Sequence, residues 1–481
     1  MNLKIFLILF FSLSFYASNA QIKYSLKDCI TLALEKSLQL KQTYLSQNIA
    51  DNNFKQSKNN LLPSVGLDMT GGMSIGNSLN PTTYEVQFRN AYTSTIGVSA
   101  QMILFNGLQQ INNIDRTKFL SESAKTDIES FKNNLALTVA NNYLQIVLAK
   151  EIIEAAKIQS RNLQEQMNRT INLIEAGVLP KGNLLELQAQ KAKDELNLVK
   201  VQSSYQLLEF QMKQLLLIPL NQEILFEQPF AVKVSDYDVE NIETIINSAV
   251  VRLPQIKSEE LKVRSAKKQW QMAQGAFSPT LALSYSSGSN FISTSVDRRD
   301  SIYALPPVAI GSGFNSADNS TILINSLPTN RVIQVADGST PYLFQLQNNL
   351  SHRFTLSLNF SIFAKFQRMT NASNAKIQWM SQNLQLDIAK NKLREEVYSA
   401  YIQYKNAKKT YYAAEENIKA FNNAYEFAKE KYNLGSINSF EFSTSLSNRQ
   451  NADSELLRAK FEYFFRKVVL DFYNGSVLNI E

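Results

Sequence analysis

A stretch of 71 residues, 364–434, contains neither glycine nor proline. Apolar residues recur along it at steps of alternately four and three, which is the heptad spacing of helices that pack along a common seam. At 1.5 Å per residue such a helix would be about 100 Å long, far longer than the helices of about 10 to 20 residues in globular domains. The stretch therefore predicts a helix that packs on other long helices. The seam is formed by Leu393, Val397, Ala400, Tyr404, Ala407, Tyr411, Ala414, Ile418, Phe421, Tyr425, Ala428 and Tyr432.

The chain carries the same seam a second time. Positions 258 residues earlier are apolar at nine of twelve sites, and residues 108–176 again lack glycine and proline. A second offset, of 216 residues, relates the segments that begin the two halves. This self-similarity predicts an internal duplication, with about 42 residues inserted in one loop of the second half. Identical pairs at the offset of 258 include Val139/Val397, Tyr143/Tyr401, Gln145/Gln403, Gly177/Gly435, Leu198/Leu456 and Tyr205/Tyr463.

Residues 1–20 have the pattern of a secretory signal peptide. Lys4 precedes an apolar core, and small residues stand before Gln21 at the cleavage position. The apolar run is too short to span a membrane, so we expect an exported mature chain. Cys29 is the only cysteine, which excludes an intramolecular disulfide. Charged residues just before Cys29 do not suit a lipid-attachment site, and we expect no lipid anchor.

Strand-like alternation follows each of two prolines, Pro63 and Pro279. Runs of about ten residues alternate apolar and polar side chains, and this is the length of a tilted strand that crosses a membrane. The polar stretches 71–93 and 287–351 are expected as loops between paired strands. Alternation alone is also compatible with soluble hairpins that pack an apolar face on helices. In the membrane interpretation several chains must share one barrel, since four strands cannot close a barrel whose smallest single-chain form has about eight.

We expect two structural repeats after the signal peptide, 21–236 and 237–481. Each repeat contains a first helix, a pair of barrel strands, a long helix and a return helix. In the first repeat these elements are helix 25–60, strands within 62–106, long helix 107–176 and return helix 183–218. In the second repeat they are helix 239–276, strands within 278–363, long helix 364–434 and return helix 436–474.

This duplicated order resembles the TolC-type outer-membrane efflux proteins over essentially all of the mature chain. The resemblance includes Leu62-Pro63 at the start of the first strand and Leu104-Phe105-Asn106-Gly107 at the end of the second. It implies a fold that is mainly α with membrane β, in which three chains each contribute four strands to a 12-stranded outer-membrane β-barrel. The barrel would continue into a long α-helical coiled-coil tunnel in the periplasm. Residues 219–239 and those after Gly475 would belong to an equatorial belt around the tunnel.

The resemblance also assigns roles to the turns between long and return helices, which would lie at the inner end of the tunnel. A glycine in each turn suits the left-handed conformation that ends a helix, and an ordinary helical-hairpin turn would use the same residue. The tips that would dock on a periplasmic adaptor protein are Gly177, Val178, Leu179, Gly435, Ser436 and Ile437. The pore aperture would include Tyr432, Glu441, Thr444 and Asn183.

Glu441 matches a position where this family often places a carboxylate at the aperture, and a ring of three carboxylates would favour cations. Thr444 stands where a second acid can occur, so the ring is expected to be weaker here. Asn183 and Ile437 stand where charged residues can latch the helices, so an apolar contact is expected to replace the latch. The residues alone leave open a second interpretation, in which Glu441 is a solvated acid at a helix start.

The composition does not support catalysis. One histidine, His352, and one cysteine are too few for a His/Cys metal site, and there is no glycine-rich phosphate loop. The formal charge of +7, or +6 without Lys4, is spread along the helices, which argues against nucleic-acid binding. We therefore expect no enzyme, no cofactor and no metal site, and transport that depends on a partner.

Two functions remain. The first is the outer-membrane channel of a tripartite export system, a homotrimer surrounded by outer-membrane lipid. It would passively conduct substrates from an inner-membrane transporter and a periplasmic adaptor to the exterior. The second is a secreted coiled-coil structural or adhesion protein whose alternating segments form soluble hairpins. Four matched amphipathic strands favour the channel, since a fibrous protein has no need of them.

Overall fold

The computed structural model describes residues 23–79, 85–227, 241–294, 296–305, 309–325 and 329–475. The predicted signal peptide, most of the predicted belt segment 219–239 and the residues after Gly475 lie outside the described part of the chain. The chain divides into two compact units. The helical unit comprises Met1–Phe54, Asp115–Trp270 and Asn374–Glu481, and the sheet unit comprises Lys55–Ile114 and Gln271–Ser373.

The first half of the chain contains two short helices, a strand pair and a long helical hairpin. Its elements are β1 (Lys23–Tyr24), α1 (Leu26–Lys36), α2 (Leu38–Asn59), β2 (Ser64–Leu79), β3 (Val86–Phe105), α3 (Gln109–Glu175), α4 (Gly182–Leu216) and β4 (Leu225–Phe226).

The second half repeats this order and adds an insertion between its two main strands. Its elements are α5 (Ile242–Arg252), α6 (Pro254–Gly275), β5 (Thr280–Ile292), β6 (Val296–Leu305), β7 (Ala309–Phe314), β8 (Thr321–Asn325), β9 (Thr329–Ser339), α7 (Tyr342–Asn348), β10 (Ser351–Asn359), α8 (Gln367–Asn433) and α9 (Ser439–Asn474).

The internal duplication is confirmed residue by residue. The helices α3 and α8 both contain 67 residues and begin 258 positions apart. Left-handed backbone conformations recur at the same offset, at Gly107 and Lys365 before the long helices and at Gly177 and Gly435 after them. The short helices α1 and α2 recur as α5 and α6 at the offset of 216. The two offsets found in the sequence therefore also relate equivalent structural elements.

Two features differ from the sequence prediction. One helix was expected over 25–60, but the helix is interrupted at Ser37, whose hydroxyl accepts a hydrogen bond from the Leu40 amide at 3.1 Å and so starts α2. The corresponding break precedes Pro254, because the residue before proline is disfavoured in the helical conformation. Residues 71–93 and 287–351 were expected as loops, and this expectation was wrong. The strands β2 and β3 pair until Leu79 and Val86, and the second stretch forms two hairpins and the helix α7.

The two largest apolar cores of the helical unit each include one of the long helices. Val139 and Ile146 of α3 are fully buried against α1 and α4, and Val397 of α8 is fully buried against α5 and α9. Each such side chain stabilises the fold by about 1.5 to 3 kcal/mol. Cys29 lies in the first core with no exposed surface, and burial raises the pKa of its thiol to about 12. Cys29 is therefore a small buried residue of this core.

The sheet unit contains one four-stranded antiparallel sheet in the order β10, β5, β3, β2. The two repeats meet at its centre, where β3 pairs with β5, and β2 and β10 form its edges. Since directly opposed residues share a face of a sheet, the register places whole rows of side chains together. Apolar rows are Val65, Ala100, Tyr285 and Phe354, and Met102, Leu283 and Leu356; polar rows are Gly66, Ser99, Ser286 and Arg353, and Ser64, Gln101, Ser284 and Thr355.

Candidate functional site

The first helical tip joins α3 to α4. Two hydrogen bonds close the end of α3, from the Gly177 amide to the Ile174 carbonyl at 3.0 Å and from the Val178 amide to the Leu173 carbonyl at 2.8 Å. This pattern needs a left-handed residue, which Gly177 supplies with φ of 75°. Val178 is exposed at the tip, and Leu179 is half-buried. The tip is therefore a tight turn that presents an apolar side chain to its surroundings.

Near this tip, polar side chains connect α3 and α4. Asp194 of α4 accepts hydrogen bonds of 2.9 Å from Gln159 and Gln190, and Lys191 donates to Gln164 at 2.8 Å. Burial raises the pKa of Asp194, although these hydrogen bonds oppose the shift. The polar contacts fix the register of α3 against α4.

The second tip joins α8 to α9 and has the same closure. The Gly435 amide donates to the Tyr432 carbonyl at 3.0 Å, the Ser436 amide donates to the Lys431 carbonyl at 2.8 Å, and Gly435 has φ of 73°. Asn438 is the N-cap residue of the helix α9. The Asn438 side chain accepts from the Glu441 amide at 2.8 Å, and its own amide group lies 3.4 Å from the Glu441 carboxylate.

An aromatic cluster packs between α8 and α9 near this tip. The rings of Tyr432 and Phe442 are stacked at 4.8 Å, and the Tyr432 hydroxyl lies 3.2 Å from the hydroxyl of the fully buried Ser439. The guanidinium of Arg169, from α3 of the first half, lies 5.8 Å from the Tyr432 ring centre. Gln166 of α3 donates to the Ser439 carbonyl at 3.3 Å. These contacts tie α3 to the second tip.

The structure brings some of the sequence-predicted site residues together and leaves others apart. Tyr432 and Glu441 lie on the same tip, where Tyr432 is half-buried and Glu441 and Thr444 are exposed on the first turns of α9. Asn183 lies at the start of α4, where its amide donates to the Pro180 carbonyl at 3.2 Å. Ile437 is half-buried beside the second tip. The assignment of these residues to an aperture or to adaptor docking stays a prediction.

Sequence reasoning missed four contributors to the second tip: Gln166, Arg169, Asn438 and Phe442. The N-cap could have been found, because asparagine three residues before glutamate is a helix-start signature. The two residues on α3 could not, since no local pattern shows which long helix lies beside the tip.

One face of the four-stranded sheet exposes a large apolar surface. The residues in its rows are far more exposed than core residues of their type, and a patch of this size indicates a surface that is covered in the functional protein. The exposed apolar residues of the sheet strands include Val65, Leu67, Met69, Phe88, Phe354, Leu356 and Leu358.

Among the described residues, no helix contains a run long and apolar enough to cross a lipid bilayer.

Solved structures of outer-membrane channels share this arrangement of helices and sheet. The chain is similar to CusC, whose structures concern folding and transmembrane channel formation, with a TM-score of 0.75, 13% identity, and coverage of 95% of this chain and 93% of CusC. It is similar to the outer-membrane protein VceC of Vibrio cholerae, with a TM-score of 0.74, 14% identity and coverage of 94% and 97%. It is also similar to the Campylobacter jejuni channel CmeC, with a TM-score of 0.72, 16% identity and coverage of 94% and 87%.

This likeness shows that the chain has the fold of these channels. The outer membrane efflux protein family model matches residues 29–216 and 245–464, and the chain belongs to this family. The family is one of transport channels and not of enzymes. No curated protein matches the chain significantly by sequence. The predicted fold class is confirmed: the chain is internally duplicated, mainly helical, and has four strands of the kind that build a trimeric barrel continuous with a helical tunnel.

Proposed function

We propose that this protein is the outer-membrane channel of a tripartite export system. Three copies form a barrel in the outer membrane and a helical tunnel in the periplasm, and substrates pass through passively from an inner-membrane transporter and a periplasmic adaptor. The proposal includes export by the N-terminal signal peptide and a mature chain without a lipid anchor. Family membership supports the channel, and the partners and the transport path are what the proposal adds.

The observation that carries the proposal is the two-faced sheet. Its apolar rows would contact outer-membrane lipid, and its polar rows would line a wet lumen. Both edge strands, β2 and β10, have no further partner in the four-stranded sheet of the described residues. Unpaired strand edges are not tolerated in hydrocarbon, so neighbouring copies supply the missing pairing. The alternative, a secreted coiled-coil structural or adhesion protein, gives no reason for such a sheet.

We assign the two tips to partner docking and to the aperture. Gly177, Val178 and Leu179 of the first tip and Gly435, Ser436 and Ile437 of the second would contact the adaptor. The support is that both tips have the same tight closure and that Val178 remains exposed.

The aperture would be lined by Tyr432, Glu441, Thr444 and Asn183. Glu441 is exposed and lies close to the turn of its helical hairpin, and three copies would form a ring that favours cations. The N-cap contact with Asn438 holds the backbone at Glu441 and still leaves the carboxylate at the surface. The structural role at the helix start and the proposed role in the ring are therefore compatible.

The test is ion selectivity of the purified mature protein in planar bilayers. We expect discrete conductance, and Glu441→Gln should lower the cation over anion permeability ratio by at least about twofold because it removes three negative charges from one constriction. Glu416→Gln removes the same charge from α8 at a position away from the tip, where Glu416 pairs with Lys419, and should leave the ratio unchanged.

The outcomes separate the parts of the proposal. Conductance with an unchanged ratio in Glu441→Gln would retain the channel and remove Glu441 from the aperture. A protein that neither inserts into the bilayer nor forms trimers would contradict the channel itself and favour the secreted coiled-coil protein.

A further inference from the structure

The short helix α7 of the insertion packs on the apolar face of the four-stranded sheet. The ring of Tyr342, at the start of α7, lies 4.8 Å from the ring of Phe291 on β5, and its hydroxyl lies 3.2 Å from that of Ser94 on β3. Ser94 and Phe291 oppose each other in the sheet, and each is six residues from the apolar row of Ala100 and Tyr285. An even spacing keeps side chains on one face of a strand, so α7 lies on the face that carries the apolar rows.

A cavity of about 240 Å³ lies between α7 and this face of the sheet. Its volume corresponds to about eight groups of the size of a water molecule, whose share of liquid volume is about 30 Å³. A methylene group is of similar size, so the cavity has room for a chain of several methylenes. The side chains that line it are Ile96 and Val98 of β3, Ser287 and Ser289 of β5, and Leu346 and Leu350 of the α7 segment.

One hydroxyl in the wall of this cavity lacks a partner. Ser289 is only 8% exposed, and its hydroxyl forms no hydrogen bond among the described residues. A buried hydroxyl without a partner is unfavourable, and a ligand that supplies an acceptor would remove this cost. The cavity thus combines an apolar lining with a hydrogen-bond donor. An ester-linked acyl chain has the matching composition, because its apolar chain ends in a carbonyl oxygen that accepts hydrogen bonds.

The position of Ser289 along its strand agrees with such a ligand. Ser289 is the tenth residue of β5, counted from Thr280, which follows α6 in the chain. A tilted strand crosses the hydrocarbon region of a bilayer in about 9 to 11 residues. In the proposed channel Ser289 therefore lies at the outer boundary of the hydrocarbon region, where the acyl chains of the outer leaflet are joined to their head groups.

The apolar side chains around the cavity are exposed as well. Leu343 and Phe344 of α7 are 70% and 50% exposed, and Leu350 is 55% exposed. Such a cluster indicates a surface that is covered in the functional protein. Neighbouring copies would join the sheet at its edge strands β2 and β10, whereas the cavity lies over the central strands β3 and β5. Membrane lipid, and not another copy of the chain, is therefore the cover that this position favours.

We propose that the cavity beneath α7 binds one ester-linked acyl chain of an outer-leaflet membrane lipid. The chain packs against Ile96, Val98 and Leu346, and the hydroxyl of Ser289 donates a hydrogen bond to the ester carbonyl. Each copy of the protein then holds one lipid at the outer boundary of the barrel. The proposal rests on the proposed channel for the direction in which the apolar face points, and it adds a specific lipid site to that face.

The experiment is photolabelling of the full mature protein in phosphatidylcholine vesicles. The probe is a phosphatidylcholine that carries a diazirine in an ester-linked acyl chain, and mass spectrometry locates the labelled residues. Leu67 and Met69 of β2 provide the internal reference, because they oppose Val98 and Ile96 in the sheet, lie at the same depth and are 64% and 66% exposed. Residues 96–98 and 346–350 should be labelled at least about threefold more than this reference, the factor expected from one hydrogen bond within a membrane.

Variants separate the cavity from its hydroxyl. Leu346→Trp fills the cavity from α7 and should reduce the labelling of residues 96–98 to that of the reference, whereas Leu356→Trp enlarges an exposed side chain of β10 outside the cavity and should leave it unchanged. Ser289→Ala keeps the space but removes the donor. The wild type should therefore be labelled about threefold more by the ester-linked probe than by an ether-linked analogue, which has no carbonyl, and Ser289→Ala should label equally with both.

Equal labelling of residues 96–98 and of the reference in the wild type would overturn the site, and this comparison does not depend on the folding of any variant. Equal labelling of the wild type by ester and ether probes would overturn the hydrogen bond to Ser289. Conductance is recorded on the same preparations. Conducting channels without excess labelling would refute the lipid site and keep the proposed function. Excess labelling in a protein that never conducts would keep the site and contradict the proposed function.

Discussion

The side chain of Tyr143 shows how one residue joins distant parts of the first repeat. Its hydroxyl lies 2.7 Å from the Glu227 carbonyl and 3.2 Å from the Tyr24 carbonyl, at the place where β1 and β4 pair in parallel. Burial raises the pKa of Tyr143, so it keeps its proton and remains a donor. In the second half Tyr463 is also buried, but its hydroxyl has no hydrogen-bond partner among the described residues.

These two tyrosines predict opposite results for the same substitution. Tyr143→Phe should lower the free energy of unfolding by about 1 to 2 kcal/mol, since it leaves buried carbonyls without their donor. Tyr463→Phe should change it by less than about 0.5 kcal/mol or stabilise the protein, because an unpaired buried hydroxyl is removed. Thermal unfolding followed by circular dichroism at equal protein concentration measures both. Equal destabilisation by the two variants would contradict the assigned role of the Tyr143 hydroxyl.

At the scale of elements, the long helices were predictable and the strand ends were not. The bounds of α3 and α8 fall within three residues of the predicted helices, because an uninterrupted heptad seam admits only a helix. In the outer parts of β2 and β3, Met73, Ile75 and Leu79 and then Val86, Phe88 and Tyr92 recur at steps of two or four, but Asn77 and Asn90 interrupt the alternation and residues 71–78 are rich in glycine and serine. These parts remain in the sheet because each backbone is paired with the other across the hairpin, which an interrupted alternation does not show by itself.

Part of the candidate site could likewise be predicted from the sequence, and part could not. Gly177 and Gly435 were predictable as helix ends, because the left-handed conformation is a local requirement. The stacking of Tyr432 on Phe442 and the approach of Arg169 were not, since they depend on how three helices from both halves pack.

The two tips also provide a matched test of glycine as a helix terminator. Gly435→Ala should destabilise the second tip by about 1 to 2 kcal/mol, because an alanine at φ of 73° is strained even though a Cβ would meet no atom within 4 Å. Gly182→Ala, at the start of α4, also has open space and no positive φ, so it should be neutral or slightly stabilising. Hydrogen exchange of the tip amides reports the local change. Similar protection in both variants would show that the closure of the tip does not depend on glycine.

At the scale of the whole molecule, the duplication explains why the sheet and the helices need further copies. The two repeats contact each other where β3 pairs with β5 and where α3 packs on α6. Among the described residues, the edge strands β2 and β10 have no further partner in the four-stranded sheet, and apolar side chains such as Leu45 of α2 and Leu384 of α8 are exposed. Within one chain, the two repeats form these contacts with each other once. The same kinds of contact can form again between copies, as expected of a subunit in a closed ring.

The inserted segment of the second half allows a test of which part of the chain is needed to form the trimer. In the described part of the insertion, the sheets of β6 with β9 and of β7 with β8 are separate from the four-stranded sheet. Val296 pairs with Ser339, so the two ends of the segment lie side by side. Gln345 of α7 anchors the part that must remain, since it exchanges hydrogen bonds of 3.1 Å with the Ile292 backbone.

We therefore expect a channel from which residues 297–338 are replaced by a turn of about two to four Gly and Asn residues to trimerise and conduct as the full chain does. The shorter connection should stabilise the hairpin by at most about 2 kcal/mol through loop closure. Gln345→Ala is the contrasting variant, because it keeps the insertion but removes the side chain that binds β5, and it should lower the thermal midpoint. Trimer migration on gels and bilayer conductance are measured on both. If the shortened chain fails to trimerise while Gln345→Ala does so normally, the insertion, and not the repeated strand pairs, holds the ring together.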